Sequence, residues 1–566
     1  MKFDQLADVY EELENTASGN DIRTILSDFF KKVDKDDIAM VAYLTLGKIS
    51  AEYESSTLGF AETSILKSIA TAGGRELKKV KEILRETGDA GLTAEQVMKQ
   101  KPKTLVPVGE LTVHELFDKL KLIAKTSGMG SVETKSNTIA TILQKTSPKG
   151  AKYVVRIALG TLRMGVAEMA VLDSLAIAFT GEKKNKEFLE TAYNICPDVG
   201  VIAESVARNG LKGLDKITIK VGRPIKMMSA QRVKEWEDVL KKIPGTLAAE
   251  AKYDGERVQA HKSKNKINLF SRRLENITSQ FPDLVEYLDK QIKSDEFIIE
   301  AEILAIDKDG NHLPFQTLMQ RRRKHDIEEY IKKIPVQAKI FDLLYLEGKS
   351  YINTPYKERT ETLRALVKES KHVTNSDQII TDDMHEVQDF FKKMLDDKQE
   401  GIMIKSLDGV YQAGTRGWNW IKWKKDYSAE MIDTLDLVIV GAFFGRGRRS
   451  GTYGALLCAA YNKKEDRFET VCKLGTGLND EVLEELPKKL SKYKSVKQPP
   501  RVVVSNEMQP DVWFTPHVVV EVLAAEITKS PFHTLGYALR FPRFISFRED
   551  KKAEQATSKK EVLEMK

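Results

Sequence analysis

The chain has 566 residues, of which 41% are hydrophobic and 31% charged, and its formal net charge is +7. This length predicts two to four domains with packed cores, and the mildly basic balance permits a polyanionic partner. No run of about 18 apolar residues is present for a membrane span, and the three cysteines form no C-x-x-C pair that would indicate a zinc site or a disulfide framework.

Residues 1 to about 215 are predicted to be helical. The N-terminus is acidic and amphipathic and lacks the apolar core of a signal peptide, so an intracellular, cytoplasmic protein is expected. Within residues 63–88, apolar side chains recur at helical intervals, interrupted by Gly73-Gly74: Ile65, Leu66, Ile69, Val80 and Ile83.

A later helix, in residues 147–165, combines an apolar face with a row of basic side chains. These are Lys149, Lys152, Arg156 and Arg163. Such a row is typical of a solvated helix face. It also fits phosphate contact by an all-helical module, and the spacing alone does not decide between the two.

Glycine and proline between residues 210 and 224 indicate a linker or domain boundary. Short strands mixed with helices are predicted from about 245 to 425, with strands in 296–307, 336–346 and 400–406. After Ser428 the pattern is all-β and barrel-like in size, followed by a charged tail from Lys551 that is helical or loose. The predicted domains are therefore 1–215, 216–428 and 429–566.

The segment EAKYDGERVQ (250–259) contains a lysine at the end of a predicted strand. Residues 247–252 form one strand and 258–261 the next, and Asp254-Gly255 between them indicates a hairpin or tight turn. Lys252 would thus project at a strand end, with Arg257 returning nearby. Taken alone, the K-x-D-G pattern of residues 252–255 also fits an exposed lysine before an ordinary hairpin.

Phosphate-binding glycine loops are not found in the sequence. Gly348-Lys349-Ser350 lacks the earlier glycine of a P-loop, and Ser450 stands where the 445–451 segment would need its third glycine. Side chains must therefore handle any phosphate. Six segments place a charged or aromatic residue beside the end of an apolar strand: 250–257, 269–278, 297–307, 339–348, 400–405 and 413–427.

In this order, these segments resemble the motifs of the ATP-dependent DNA ligases, covalent nucleotidyltransferases of the archaeal and eukaryotic replicative type. KYDGER matches the nucleophile motif; SRRLENIT, EAEI, IFDLLYL, EGIMIK and WIKWKK match the five that follow; residues 539–557 match the C-terminal motif and 152–176 the helical DNA-binding domain. The resemblance covers nearly the whole chain. It implies an all-α DNA-binding domain, an α+β nucleotidyltransferase domain and an all-β OB-fold domain.

The resemblance also implies a role for each matching residue around ATP. Lys252 would attack the α-phosphate and carry AMP as a phosphoramidate, and Glu250 would accept a hydrogen bond from the adenine amino group. Phe341 would stack on adenine, with Arg257, Arg272 and Glu302 around the ribose and phosphate. Glu400, helped by Glu302, would bind Mg²⁺ or Mn²⁺. Arg416, Lys422 and Lys424 would contact the triphosphate.

In the C-terminal motif, Arg548, Asp550 and Lys551 would orient the pyrophosphate leaving group, in a domain that swings away afterwards to grip DNA. The implied partner is nicked double-stranded DNA, encircled by a monomer during replication, repair, recombination and cell division. Arg446, Arg448 and Arg449 are candidates for phosphate contact. The segment Gln100–Leu105 is nearest to the sliding-clamp segment of related archaeal ligases but lacks its aromatic pair, which argues against clamp binding there.

Three alternatives remain open at this stage. An RNA ligase or a capping enzyme shares K-x-D-G but generally lacks the helical domain and the C-terminal motif. An NAD-dependent ligase usually carries a four-cysteine zinc site, which three scattered cysteines cannot form. A catalytically idle DNA-binding or scaffolding protein would not need the intact lysine, arginines and carboxylates.

Overall fold

The structure is a computed structural model and describes residues 1–16, 18–54, 56–100, 110–233, 236–321, 327–424, 434–445, 452–524 and 526–565. Its contacts divide the chain into two compact units, residues 1–423 and 424–566. The predictions for residues 101–105, for Arg446, Arg448 and Arg449, and for a boundary at residue 428 lie outside the described residues. In the described ranges, no helix is long and apolar enough to cross a membrane.

The first 215 residues are helical, as predicted. The α-helices are α1 (Phe3–Glu14), α2 (Gly19–Phe30), α3 (Ile38–Thr45), α4 (Glu62–Gly73), α5 (Leu77–Thr87), α6 (Ala90–Lys99), α7 (Val113–Lys125), α8 (Ser131–Gln144), α9 (Pro148–Ala158), α10 (Glu168–Thr180), α11 (Lys186–Ile195), α12 (Val199–Asn209) and α13 (Leu211–Leu214). The predicted break separates α4 from α5, because Gly74 adopts a left-handed φ of 61° that suits glycine.

Of the four basic side chains predicted on this helix, Lys149, Lys152 and Arg156 lie on α9 and Arg163 follows its end. Two of the four are neither solvated nor free for phosphate. Lys152 and Arg156 are buried, and both pair with Glu14 of α1, at 2.6 and 3.0 Å. Arg156 also reaches Asp89 at 3.2 Å, and Arg163 pairs with the same carboxylate. Both interpretations of Lys152 and Arg156 were therefore wrong, since these cations hold helices together inside the domain.

Two β-sheets form the centre of the first unit. The strands are β1 (Ser229–Arg232), β2 (Leu247–Lys252), β3 (Glu256–Ser263), β4 (Lys266–Ser271), β5 (Glu296–Ala305), β6 (Val336–Leu346), β7 (Lys349–Ser350), β8 (Val373–Asn375), β9 (Gln378–Thr381), β10 (Gly401–Ser406) and β11 (Arg416–Lys424). One sheet has the order β1-β11-β10-β2-β9, and the other the order β4-β3-β5-β6-β7 with β8 beside β6.

Helices accompany these two sheets. They are α14 (Trp236–Lys242), α15 (Pro282–Gln291), α16 (Phe315–Met319), α17 (Ile327–Lys333), α18 (Tyr356–Leu366) and α19 (Met384–Asp396). Leu284 and Leu288 of α15 join the core beneath the second sheet, whereas Val387 and Met394 of α19 join that of the first. The α+β character predicted for this region is confirmed.

The turn after Lys252 connects the two sheets. The predicted strands are present, but β2 pairs with β9 and β10 while β3 pairs with β4 and β5, so the hairpin interpretation was wrong. A Cβ atom at Gly255 would lie 2.4 Å from the carbonyl oxygen of Ile303. Glycine is needed here because the chain passes against β5 as it crosses from one sheet to the other.

The second unit consists mainly of strands. They are β12 (Leu435–Phe444), β13 (Tyr453–Asn462), β14 (Arg467–Leu474), β15 (Lys494–Ser495), β16 (Val502–Val503), β17 (Val512–Phe514), β18 (Val519–Leu523), β19 (Glu526–Lys529), β20 (Tyr537–Arg540) and β21 (Arg543–Phe547). Most belong to one sheet of order β15-β17-β12-β13-β14-β16, in which β18 joins β12 to β21, and β19 pairs separately with β20.

The all-β prediction missed a helix in the second unit. Helix α20 (Asp480–Ser491) buries Leu483, Leu486 and Leu490 against the sheet. The charged tail is helical where α21 (Lys559–Glu564) forms, capped by Ser558, and Val562 is buried in the same core. The sequence of α20 has the leucine spacing of an amphipathic helix, so the pattern was available to prediction.

Candidate active site

Lys252 and Glu400 meet where β2 and β10 run side by side. Lys252 is the last residue of β2, and its carbonyl oxygen accepts a 2.9 Å hydrogen bond from the amide of Glu400, the residue before β10. This backbone pairing brings the Lys252 Nζ within 2.5 Å of the Glu400 Oε2, with both side chains about one quarter exposed (22% and 26%). The predicted nucleophile and the predicted metal ligand are therefore direct neighbours.

Glu302 completes the charged group around Lys252. It lies on β5 opposite Arg257 of β3, where the Gly255 amide donates to its carboxylate. Burial raises the pKa of Glu302 to about 7, and the nearby Glu400 adds to this, while Lys252 and Arg257 act in the opposite direction. Lys252 and Arg257 therefore offset only part of the cost of burying the negative charge of Glu302.

The donor set suits a cation that keeps much of its hydration. In the part of the chain that the structure describes, no group of three or more His, Cys, Asp or Glu is arranged to hold a metal ion. Glu302 and Glu400 supply two carboxylates instead. Mg²⁺ is commonly bound by one or two carboxylates together with water and substrate phosphates. The residues present therefore fit Mg²⁺ as a partner of a bound triphosphate.

Glu250 lies two residues before Lys252 on β2 and is almost fully buried. Its Oε2 pairs with Lys405 Nζ at 2.7 Å, and its Oε1 accepts hydrogen bonds from the Tyr356 hydroxyl and, at 2.9 Å, from Gln378 Nε2. Lys405 also donates to the carbonyl oxygen of Phe341 at 3.2 Å. A buried carboxylate is tolerated here because three donors surround it.

Phe341 lies among cations and aromatic rings beside Glu250. The Arg257 guanidinium is 5.4 Å from the centre of its ring and the Lys405 ammonium 5.0 Å, and Trp420 contacts it edge-on. Its side chain is half-buried, in contrast to the fully buried Asp342 that follows it. The ring therefore lies in cation–π distance of two charged groups.

Arg257 is anchored by a buried carboxylate and a backbone carbonyl oxygen. Its guanidinium donates to the fully buried Glu300 at 2.7 Å and to the carbonyl oxygen of Met228 at 2.7 Å. The Tyr411 hydroxyl donates to the same carboxylate at 3.0 Å and accepts from the amide of Met228. Arg257 thus ties the segment before β1 to the second sheet, a role that its position in the sequence does not reveal.

The remaining cations predicted around the ribose and the phosphates lie at separate places in the structure. Arg272 is exposed and lines a cavity of about 400 Å³ together with Lys48, Glu168 and Lys226, and among the described residues that cavity does not include Lys252. Arg416 is exposed at the start of β11, and Lys422 and Lys424 lie half-buried at its other end. The structure therefore joins Lys252, Glu302 and Glu400 closely, and Arg272 and Arg416 less so.

Asp342 has a structural role. Its carboxylate is fully buried and accepts two hydrogen bonds from Arg359 of α18, at 2.8 and 3.1 Å. Arg359 in turn donates to two backbone carbonyl oxygens, those of Thr354 and Gly409. This pair fixes the start of α18, and with it Tyr356, beside Glu250.

In the second unit, the two cations of the C-terminal motif pair with one carboxylate, and the third residue of the motif pairs with one of these cations. Asp436 of β12 pairs with Arg548 at 3.0 Å and with Lys551 at 2.5 Å. Arg548 also holds Asp550 at 2.8 Å, and this ion pair lowers the pKa of Asp550 to about 2. The motif is thus a preformed ionic cluster.

Several residues of these clusters were not predicted from the sequence. They are Glu300, Tyr356, Gln378, Lys405 and Asp436. Lys405 and Asp436 are the only charged residues of β10 and β12, which is a signal that could have found them, because an unpaired charge is rarely buried. Glu300 shares β5 with Glu296 and Glu302 and does not stand out in this way. Tyr356 and Gln378 carry no such signal.

Three family models match successive parts of the chain. Residues 2–176 match the family described as DNA ligase N terminus, 227–424 the ATP dependent DNA ligase domain, and 449–551 the ATP dependent DNA ligase C terminal region.

Individual proteins match along their full length. DNA ligase 2 of Thermofilum pendens is 45% identical over 586 residues, covering 100% of this chain and 97% of that protein. DNA ligase 1 of Methanosarcina mazei is 42% identical over 582 residues and 100% of both. A solved structure named Pmar-Lig_PreS3 shares the fold, with a TM-score of 0.56 at 18% identity over 96% of this chain and 99% of its own.

Proposed function

This chain belongs to the ATP-dependent DNA ligases, and from that membership we propose that Lys252 is the nucleophile. As a DNA ligase it seals single-strand nicks in duplex DNA and uses ATP as its source of AMP. The observation that supports Lys252 is its place at the end of β2, with its amine 2.5 Å from Glu400 and beside Glu302.

The reaction then has three balanced steps. In the first, a bond forms between Lys252 Nζ and the α-phosphorus, the bond to pyrophosphate breaks, and the amine loses a proton. In the second, an oxygen of the 5′-phosphate at the nick attacks the α-phosphorus, the phosphorus–nitrogen bond breaks, and the Lys252 nitrogen takes up a proton as it leaves. In the third, the 3′-hydroxyl attacks the 5′-phosphorus, loses its proton and releases AMP.

Glu400 is placed to act on the lysine before the first step. Its carboxylate holds the amine by charge, with Nζ and Oε2 2.5 Å apart. The attack needs a neutral amine, so this contact must be broken or the proton passed on. The carboxylates Glu302 and Glu400 would hold Mg²⁺, which on binding would neutralise phosphate charge.

Binding of the base is assigned to Glu250 and Phe341, and of phosphate to the surrounding cations. Glu250 is an acceptor for the adenine amino group, and Phe341 offers a ring face. Arg272, Arg416, Lys422 and Lys424 are assigned to the sugar and triphosphate. Arg257 supports the base side through Glu300. Arg548, Asp550 and Lys551 are assigned to pyrophosphate, supported by the way Asp436 gathers the two cations.

The second unit is assigned an OB-fold barrel. The support is β12, which pairs on one side with β13 and on the other first with β18 and then with β17, as expected of a strand that bends between two neighbours. We assign the three domains to residues 1–215, 216–428 and 429–566, acting as a monomer on nicked DNA. Clamp binding at Gln100–Leu105 is tested by pull-down with the clamp, using Leu105→Ala as control.

The test of this assignment is a two-stage label transfer. The chain is incubated with α-labelled ATP and Mg²⁺, freed of nucleotide, and then given unlabelled nicked DNA. We expect label to enter the protein and to leave as the strand is sealed. Lys252→Ala should take up no label, whereas the control Lys266→Ala, at an exposed position on β4, should label like the unaltered chain.

Two results would contradict the assignment. Label uptake by Lys252→Ala would place the nucleophile elsewhere. If the unaltered chain takes up label but transfers it only to RNA ends, the acceptor is RNA instead of nicked DNA. A filter-binding measurement should show that Lys252→Ala still binds nicked DNA, since backbone contacts dominate such binding.

A further inference from the structure

The Glu250 carboxylate is held from two sides by neutral donors. The Tyr356 hydroxyl and, at 2.9 Å, Gln378 Nε2 both donate to Oε1, and Gln378 Nε2 also lies 2.9 Å from the Tyr356 oxygen. Lys405 contacts the other oxygen, Oε2, at 2.7 Å. Both oxygens are therefore engaged before any base is considered.

These donors come from separate elements that are themselves fixed. Gln378 is the cross-strand neighbour of Glu250 in the β2–β9 pair. Tyr356 is the first residue of α18, fully buried, and its amide donates to the carbonyl oxygen of Gly409 at 3.0 Å. Its ring packs against the Arg359 guanidinium at 5.3 Å and the Lys405 ammonium at 4.5 Å.

The count of acceptor positions shows what this leaves for a ligand. A carboxylate offers about four lone-pair positions, two on each oxygen. Tyr356 and Gln378 occupy both positions on Oε1, and Lys405 occupies one on Oε2. One position on Oε2 remains, and its direction is fixed because rotation of the carboxylate would break the two bonds to Oε1.

We infer that Tyr356 and Gln378 are positioning residues for base selection, which orient Glu250 so that it presents a single acceptor to the purine. This inference rests on the proposed function, in which Glu250 meets the base of the nucleotide. Adenine offers an amino donor at its 6-position, whereas guanine offers an oxygen acceptor there. A fixed acceptor therefore bonds to adenine and repels guanine.

The hydroxyl of Tyr356 is suited to this task across the pH range of an assay. Burial, together with the neighbouring Glu250 and Asp342 carboxylates, raises its pKa well above the ordinary value of 10. The group therefore stays a neutral donor. Without it, Oε1 would have a free position, and the carboxylate could turn away from a guanine oxygen or toward other donors.

The experiment measures single-turnover self-adenylation and self-guanylation over a range of ATP and GTP concentrations. The variants are Tyr356→Phe, Gln378→Ala and the control Tyr345→Phe, which removes a hydroxyl that instead donates to Glu296 at 2.8 Å. For Tyr356→Phe we expect the half-saturating ATP concentration to rise about tenfold, the maximal rate to change less than about twofold, and the preference for ATP over GTP to fall about tenfold.

For Gln378→Ala we expect the half-saturating ATP concentration to rise about threefold and the preference for ATP over GTP to fall about threefold. Tyr345→Phe should change neither quantity. The inference is overturned if the ATP preference of Tyr356→Phe is unchanged, including the case in which only its melting temperature falls. It is equally overturned if the maximal rate falls while half-saturation stays the same. Failure of the proposed function would look different, because the unaltered chain would then take up no label from ATP.

Discussion

The two ends of the proposed nucleotide site, the base end around Glu250 and the reactive end around Lys252, are built in opposite ways. At the base end, Glu250, Lys405, Tyr356 and Asp342 are each at most 3% exposed, and every charge has a fixed partner. At the reactive end, Lys252 is about one quarter exposed and lies with Glu302 in a group of three charges. Both ends use the same strand, β2, and Glu250 and Lys252 are only two residues apart.

The difference follows from what each end has to do. Buried charges are tolerated only when they are paired, so the base end is rigid and suited to selecting one ligand. If Lys252 is the nucleophile, as proposed, its amine must exchange the Glu400 carboxylate for a phosphorus atom, which a fully satisfied buried pair could not do at low cost. Partial exposure lets water and substrate replace the partner of Lys252.

The largest effect should come from breaking a buried pair at the base end. Asp342→Ala leaves the Arg359 guanidinium buried without its carboxylate, and we expect the free energy of unfolding to fall by about 3–5 kcal/mol. Urea unfolding followed by tryptophan fluorescence measures this change. The exposed pair Lys349–Glu358 is the control, since Glu358→Ala should cost less than about 1 kcal/mol. Equal losses in the two variants would refute the contrast in rigidity.

A smaller effect, on rate instead of stability, is expected at the reactive end. Glu400→Gln removes the charge that holds Lys252 and weakens a ligand for Mg²⁺, so self-adenylation should slow about 100-fold, equivalent to about 2.7 kcal/mol. Rapid-quench labelling at saturating ATP measures the rate, with Glu296→Gln as the distant control. A loss of stability as large as that of Asp342→Ala, or an unaltered rate, would show that the two ends are built alike.

The smallest effect concerns pH and the buried network behind the base end. Burial lowers the pKa of His261 from 6.5 to about 3, and the ring contacts Gln259 at 2.8 Å, which itself donates to Glu300. Folded chains keep this ring neutral, while unfolded chains protonate it below pH 6.5. Stability from His261 is therefore full above pH 6.5 and is lost as pH falls toward 3.

Below pH 6, this histidine should lower the free energy of unfolding by a slope that approaches about 1.4 kcal/mol per pH unit. Urea midpoints of the unaltered chain and of His261→Asn, measured at pH 7 and pH 5, isolate it. The variant should be less stable at pH 7 but lose less on acidification. If both chains lose the same stability between the two pH values, the buried histidine does not report on this network.

Prediction from sequence succeeded for elements with strong periodicity and for motifs of local composition. The helices of the N-terminal region, the strands β5, β6 and β10, and the place of Lys252 at a strand end are as expected. Strand pairing was less accessible: β2 and β3 look like a hairpin because alternation and a turn do not say which strand lies alongside. The ion pair of Arg257 was equally inaccessible to prediction, because its partner Glu300 is 43 residues away.

The sequence by itself determined the family, the order of the domains and which side chains are available for chemistry, because these depend on local patterns and on motifs in a fixed order. Only the tertiary structure decided which charges are partners. The Asp254-Gly255 turn became a crossing between sheets, Lys152 and Arg156 became internal ties, and Tyr356 and Gln378 arrived beside Glu250. Burial and long-range pairing assign those roles, since the energy of a charge depends on its surroundings.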